Sequence, residues 1–211
     1  AYYGAQTQRA LDNFKISNLQ FSTSFIKSLA IIKRSAAVVN AKLKKIDNKY
    51  SKAIIQACDE ILQGKFDDQF KVDVFQTGSG TSSNMNINEV IANRASEILG
   101  GKLGSKKPVH PNDHVNLGQS SNDVIPSAIH ISAYMDINNK LLPSLTQLEK
   151  ELLKKTNEFN DIIKIGRTHL QDATPISLGQ EFSGYVYQIK KSIIRLQNSH
   201  SPLLELALGG T

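Results

Sequence analysis

The sequence predicts a mainly α-helical chain, and three observations predict it. Phe25, Leu29, Ile32, Ala36, Val39 and Leu43 recur at alternating spacings of four and three, the stripe of an amphipathic helix. Leu141, Leu145, Leu148 and Leu152 follow a heptad pattern, and Phe182, Val186, Ile189, Ile193, Leu196, His200 and Leu203 follow another. Glycine stops stand where helical runs end, at Gly64 and at Gly100-Gly101.

Taken in order, the first stripe places a helix over 21–43. A second covers Lys52 to Leu62 and ends near Gly64. Phe70, Val72 and Val74 then alternate with Lys71 and Asp73, which fits a short strand or an extended run over 70–75. From Asn84 a helix passes through Val90, Ile91 and Ile98 to the diglycine. Residues 102–118, rich in Lys, Gly, Pro and Asn, read as a loop and as the boundary between domains 1–117 and 118–211. Beyond it, helices are expected over 124–160 and 179–206, started or bent by Pro143 and Pro202. Two such helices make a bundle, and an exposed heptad stripe invites partner helices. His200, on the seam, reads as a packed core histidine.

Composition narrows the function. Hydrophobic residues are 40% and charged residues 21% of the chain, which excludes a disordered polyelectrolyte. The single cysteine, Cys58, excludes an intrachain disulfide and a cysteine zinc cluster and fits a reducing compartment. The net charge is +6, and Lys42, Lys44, Lys45, Lys49 and Lys52 cluster. With Asp47, Asp59 and Glu60 nearby, these read as a solvated helix face rather than a nucleic-acid surface, and an anionic small substrate explains the balance equally well. No apolar run reaches the roughly 18 residues of a membrane span. The start AYYGAQTQRA has neither an apolar signal core nor an initiator methionine, and the end ELALGGT stops at a diglycine, so both ends are expected to be cut.

Polar segments interrupt the helices. Thr77-Gly78-Ser79-Gly80-Thr81-Ser82-Ser83-Asn84 precedes a helix, where unpaired N–H groups, close-approach glycines and hydroxyl donors make an anion site. Simple N-capping is the competing explanation for any one of these residues. The run is no P-loop, because no lysine follows at the required spacing, and as G-x-G-x-x-S it lacks the third glycine of a dinucleotide fingerprint. Gln119-Ser120-Ser121-Asn122-Asp123 opens another helix. Two such starts suit a small dicarboxylate, although a phosphate satisfies either alone. In Gly166-Arg167-Thr168-His169, a loop outside any apolar stripe, Arg167 offers a fork for carboxylate or locks a turn to a nearby acid. Thr168 can donate and His169 can move a proton near neutral pH. His110-Pro111-Asn112-Asp113-His114 invites a metal reading, but no further Cys or Glu supports it, and hydrogen-bonded His and Asn in a loop rank ahead.

Together, TGSGTSSNMNINEVIANRASEILGG, HPNDHVNLGQSSNDVIPSAIH and GRTHLQDATPISLGQEFSG resemble class II fumarases of the fumarase/aspartase superfamily, and YYGAQTQRALDNFKIS matches the early segment of that family. The resemblance covers essentially the whole chain. Aspartate ammonia-lyases are similar in fold but usually carry Gln in place of His169 and Thr in place of Ser121. The resemblance implies a helical N-terminal domain followed by long helices of a central bundle, here truncated, in a homotetramer. It implies reversible hydration of fumarate to L-malate with no metal and no organic cofactor, in a bacterial cytoplasm or a mitochondrial matrix. Ser79, Gly80, Thr81, Ser120, Ser121, Asn122 and Thr168 would hold the substrate carboxylates, and His169 would carry the proton to or from the water. Lys107, His110, Pro111, Asn112 and Asp113 would form a second anion site. The family's loop of the form GSSxMPxKxNP, which supplies a serine base and a lysine, is nowhere in these 211 residues, so the piece alone is expected to be inactive. The family also builds each active site from several subunits. A non-catalytic helical assembly protein would explain the heptads but not the polar loops. A nucleic-acid binder would show steep salt dependence.

Overall fold

The structure, a computed structural model, describes residues 1–209. Its contacts divide the chain into two compact units, Ala1–Ser132 together with the stretch from Leu206, and Ala133–Glu205. The 117/118 boundary falls within the first unit, because the first turns of the helix beyond it bury Val124 and Ala128 completely in that unit's core.

In the first unit the order is α1 (Ala5–Asn13), α2 (Thr23–Lys42), α3 (Asn48–Leu62), α4 (Thr81–Ile98) and the opening of α5 (Ser121–Asp136). Ser22 caps α2 by accepting from the Phe25 N–H, and Asp47 caps α3 by accepting from the Lys49 N–H at 2.9 Å. Leu29 and Ala30 of α2, Ile54 and Ala57 of α3, and Ile87, Val90 and Ile91 of α4 are all inaccessible and form one core. Residues on every side of α4 are buried, including Asn84, Asn88 and Glu89, so it is the central helix of the unit. Arg94 on α4 grips Glu60 on α3 through two bonds of 2.6 and 2.9 Å, which holds the Glu60 carboxyl below its usual range.

Two local readings are refined. Of the two forms open to 70–75, the strand does not occur: Asp73 makes an isolated bridge to Gln20, and its carboxylate turns the chain by accepting from the Phe75 N–H at 2.8 Å. Within 102–118, Pro111–Val115 closes one π-helical turn. The first helix, α1, has no clear apolar stripe and is held from outside. Buried Glu89 accepts from the N–H groups of Gly4, Gln6 and Thr7 at 2.9 to 3.0 Å and from the Thr7 hydroxyl at 2.6 Å. A carboxylate at a helix start satisfies N–H groups that nothing inside the helix can reach. Glu89→Ala strands these donors and should cost about 3 kcal/mol, read as a Tm lower by roughly 6 to 12 °C. A change below about 2 °C in thermal melts would show that α1 is held by something else.

In the second unit a π-helical turn, Ile137–Leu141, leads into α6 (Leu142–Glu158), so the expected 124–160 helix is realised as α5, this turn and α6. Pro143 is the second residue of α6, directly after the π-helical turn, so it lies in a helix that is already running rather than at a fresh start. A two-stranded antiparallel hairpin follows, β1 (Ile163–Thr168) and β2 (Gln171–Ser177), then α7 (Leu178–Asn198) and the short α8 (His200–Leu203). Ser177 and Gln180 form a capping box at the start of α7. α6 and α7 pack on each other, with Phe159 edge-on to Phe182 at 5.2 Å and Glu149 facing Lys190 at 3.7 Å. Gly179 permits this approach: a Cβ there would lie 2.5 Å from the Thr156 carbonyl oxygen. The outer faces remain apolar and open, with Leu148 45%, Tyr187 60% and Ile194 48% exposed.

Candidate functional site

Thr77–Asn84 and Gln119–Asp123 come together in the first unit. Gly80 adopts φ +68° immediately before α4, a left-handed conformation that suits glycine, and its missing Cβ would lie 3.0 Å from Ile125 in the second turn of α5. Across the same gap, Asn84 Nδ2 donates to Ser121 Oγ at 3.0 Å. The starts of α4 and α5 are thereby fastened side by side.

On α4 the loop is wired locally. Gln76 Oε1 accepts from the Ser83 N–H at 2.7 Å, and the Gly80 carbonyl accepts from the Asn84 N–H at 3.1 Å. Thr81 and Ser82 N–H groups have no partner among the described residues. Ser79 and Thr81 hydroxyls lie 2.8 Å apart, both exposed. On α5, Ser120 is the cap: its Oγ accepts from the Asn122 N–H at 3.2 Å and its carbonyl from the Val124 N–H at 2.9 Å. Hydroxyls of Ser79 and Thr81 and open N–H groups at the start of α4 thus lie beside the hydroxyls of Ser120 and Ser121 at the start of α5, a set of groups suited to carboxylate oxygens.

Beneath this pair lie buried polar groups that the sequence did not single out. Lys33 on α2 is fully buried, and burial pulls its ammonium down to about 7, against a smaller opposing pull from Cys58. Its Nζ donates to Asn116 Oδ1 at 2.8 Å, and Asn84 Nδ2 reaches the same oxygen at 3.2 Å. The available signal was Lys33 itself: four residues after Leu29, it falls on the apolar stripe where a lysine has no packing reason to be. Cys58, fully buried on α3, has its thiol pushed well up by burial, which disfavours the thiolate.

His110–Asp113 closes on itself. His110 Nδ1 accepts from the Asn112 and Asp113 N–H groups at 3.3 and 3.2 Å, capping the π-helical turn, with Asp113 Oδ2 3.1 Å away. His114 Nδ1 accepts from the His110 N–H at 2.8 Å, and burial lowers its pKa. Lys107 is exposed beside this turn. No group of three metal-ligating side chains occurs among the described residues.

Residues Arg167–His169 belong to the second unit, and the expected loop is the tip of the β1–β2 hairpin. Arg167 pairs with Asp172 and Thr168 with Gln171, leaving His169 and Leu170 as a two-residue turn. Both have left-handed backbones, φ +50° and +62°, which glycine or asparagine adopts readily, histidine less often and a leucine only at a cost. Such strain concentrates at functional positions. His169 and Thr168 are exposed and Leu170 is 93% exposed, so the turn projects its side chains outward. Arg167 lies 3.5 Å from Asp172 across the hairpin, and Gly166 lets the strands close, since a Cβ there would meet the Thr174 carbonyl at 2.8 Å.

The comparisons with known proteins agree along the whole length. The sequence model of a family described as "Lyase" matches residues 1–211. Fumarate hydratase class II of Nitrosomonas europaea is 57% identical over 211 residues, covering 100% of this chain and 46% of that protein. The mitochondrial fumarate hydratase of Saccharomyces cerevisiae is 56% identical, with 100% and 43% covered. The recombinant class II fumarase of Schistosoma mansoni superposes with a TM-score of 0.95 at 48% identity, over 100% of this chain and 44% of that one. The chain thus spans somewhat less than half the length of the relatives it matches. With residues 1–211 matched by the lyase model and similar to class II fumarate hydratases from end to end, the chain belongs to the lyase family.

Proposed function

We propose that this chain is part of a class II fumarate hydratase, a hydro-lyase that interconverts fumarate and L-malate. What supports the reading most is the 57% identity to such an enzyme over all 211 residues, which takes in every polar segment described above. In this reading Ser79, Gly80, Thr81, Ser120, Ser121 and Asn122 hold the substrate carboxylates from the first unit, and Thr168 adds a donor. His169, exposed on its strained turn, moves the proton of the water or hydroxyl. Charge that develops on the far carbon is delocalised into a carboxylate held by preorganised donors. Lys107 and His110–Asp113 are a second anion site, although the Asn112 and Asp113 N–H groups are taken up by His110. Residues 1–117 act as the helical N-terminal domain and 118–211 as part of the central bundle, whose open apolar faces on α6 and α7 pack in a homotetramer. No helix of the described residues is long and apolar enough to cross a membrane. The bacterial and mitochondrial relatives are in keeping with a bacterial cytoplasm or a mitochondrial matrix.

Crystals of the complete gene product soaked in L-malate should show a carboxylate against the Ser79–Thr81 and Ser120–Asn122 loops. Empty loops, with L-malate only among surface lysines, would leave these hydroxyls as helix caps and overturn the assignment.

A further inference from the structure

The polar groups beneath the two loops form one hydrogen-bonded chain whose direction is set at Asn116. Lys33 is fully buried, and its Nζ donates to Asn116 Oδ1 at 2.8 Å. Asn116 is fixed from its other end, where Nδ2 donates at 2.9 Å to the Gln119 carbonyl, which can only accept, so its Oδ1 is the atom turned to Lys33. Because Asn116 Oδ1 points inward, Asn84 must meet it with Nδ2, at 3.2 Å. The second hydrogen of that nitrogen goes to Ser121 Oγ at 3.0 Å. Asn84 keeps this orientation even though its own Oδ1 is buried without a partner. Reversing Asn116 would set its oxygen against the Gln119 carbonyl, and reversing Asn84 would set its oxygen against Asn116 Oδ1. Ser121 therefore accepts from within the protein, and its one proton must be given to something else.

We propose that Lys33, Asn116 and Asn84 are positioning residues that hold the Ser121 hydroxyl as a hydrogen-bond donor toward a ligand carboxylate at the paired loops. The inference rests on the reading of those loops as a carboxylate site and adds the groups that give the site its polarity. A serine free to rotate can turn a lone pair toward an approaching anion. One that already accepts from Asn84 offers its proton and favours an anionic oxygen over a neutral donor. The lysine touches no substrate and acts through two amides.

The test is a double-mutant cycle in the complete gene product, with succinate as an unreactive dicarboxylate probe and affinity measured by calorimetry. Ser121→Ala should weaken succinate about tenfold, the loss of one hydrogen bond to a charged group. Asn84→Ala, which is uncharged, should weaken it several-fold. The double variant should bind no worse than Ser121→Ala alone, since both changes act through one hydroxyl. Losses that multiply, or an Asn84→Ala protein with unchanged affinity, would overturn the relay and leave these amides as packing. Unchanged affinity in Ser121→Ala would instead overturn the carboxylate reading of the loops. Circular dichroism checks folding of each variant. If Asn84→Ala does not fold, the half-buried Asn116→Ala takes its place in the cycle and is judged by the same criterion.

Discussion

The 211-residue chain alone is expected to hydrate no measurable fumarate. The chemistry of the proposed reaction needs two proton-transfer groups, one at the water and one at the carbon bearing the departing hydrogen. His169 can serve the first. The resemblance assigns the second to a serine in a GSSxMPxKxNP loop, and no such run occurs in these residues. The exposed helix faces add to the deficit, because Leu148, Tyr187 and Ile194 lack the neighbours that a bundle would supply. Fumarate absorbance followed over hours should stay at the uncatalysed rate, and mixing with a polypeptide that carries the missing loop should restore part of the activity. Turnover by the chain alone at a rate comparable to that of the complete gene product would show that the loop is dispensable.

His169→Asn in the complete gene product should lower kcat by about a hundred- to ten-thousand-fold, the usual worth of one positioned proton-transfer group. Asparagine has a similar size and polarity and tolerates the left-handed backbone at φ +50° at least as well as histidine. The hairpin should therefore keep its shape while losing a group that can cycle a proton. Affinity for succinate should change much less, since Ser79, Thr81, Ser121 and Asn122 carry most of the hold in the proposed site. A matching loss of succinate affinity would make His169 a binding group, and an unchanged kcat would remove it from the mechanism.

Much of the fold was legible because helices write their packing into the sequence at a fixed period. The stripe from Phe25 to Leu43 became α2 (Thr23–Lys42), and the run ending in Gly100-Gly101 became α4 (Thr81–Ile98). α1 was not legible, because what holds it is Glu89, more than 80 residues away in sequence. Nor was the β1–β2 hairpin, whose turn is made by His169-Leu170 instead of the Asn-Gly pair that signals such turns. Among the site residues, the hydroxyl loops stood out by composition, but their adjacency depends on the contact of Gly80 with Ile125 and the bond from Asn84 to Ser121, which local sequence does not encode. Lys33 was hidden for a related reason: in a helix rich in lysines and arginines, only its position on the apolar stripe marks it as buried.

The measurement that bears most directly on the account is the reaction of the complete gene product with fumarate, followed as loss of absorbance, with L-aspartate deamination assayed in parallel. Conversion of fumarate to L-malate, with no ammonia released from L-aspartate, is the outcome expected from a chain with His169 on the hairpin turn and Ser121 at the start of α5. Release of ammonia from L-aspartate without hydration of fumarate would contradict the assignment and make the protein an ammonia-lyase of the same fold.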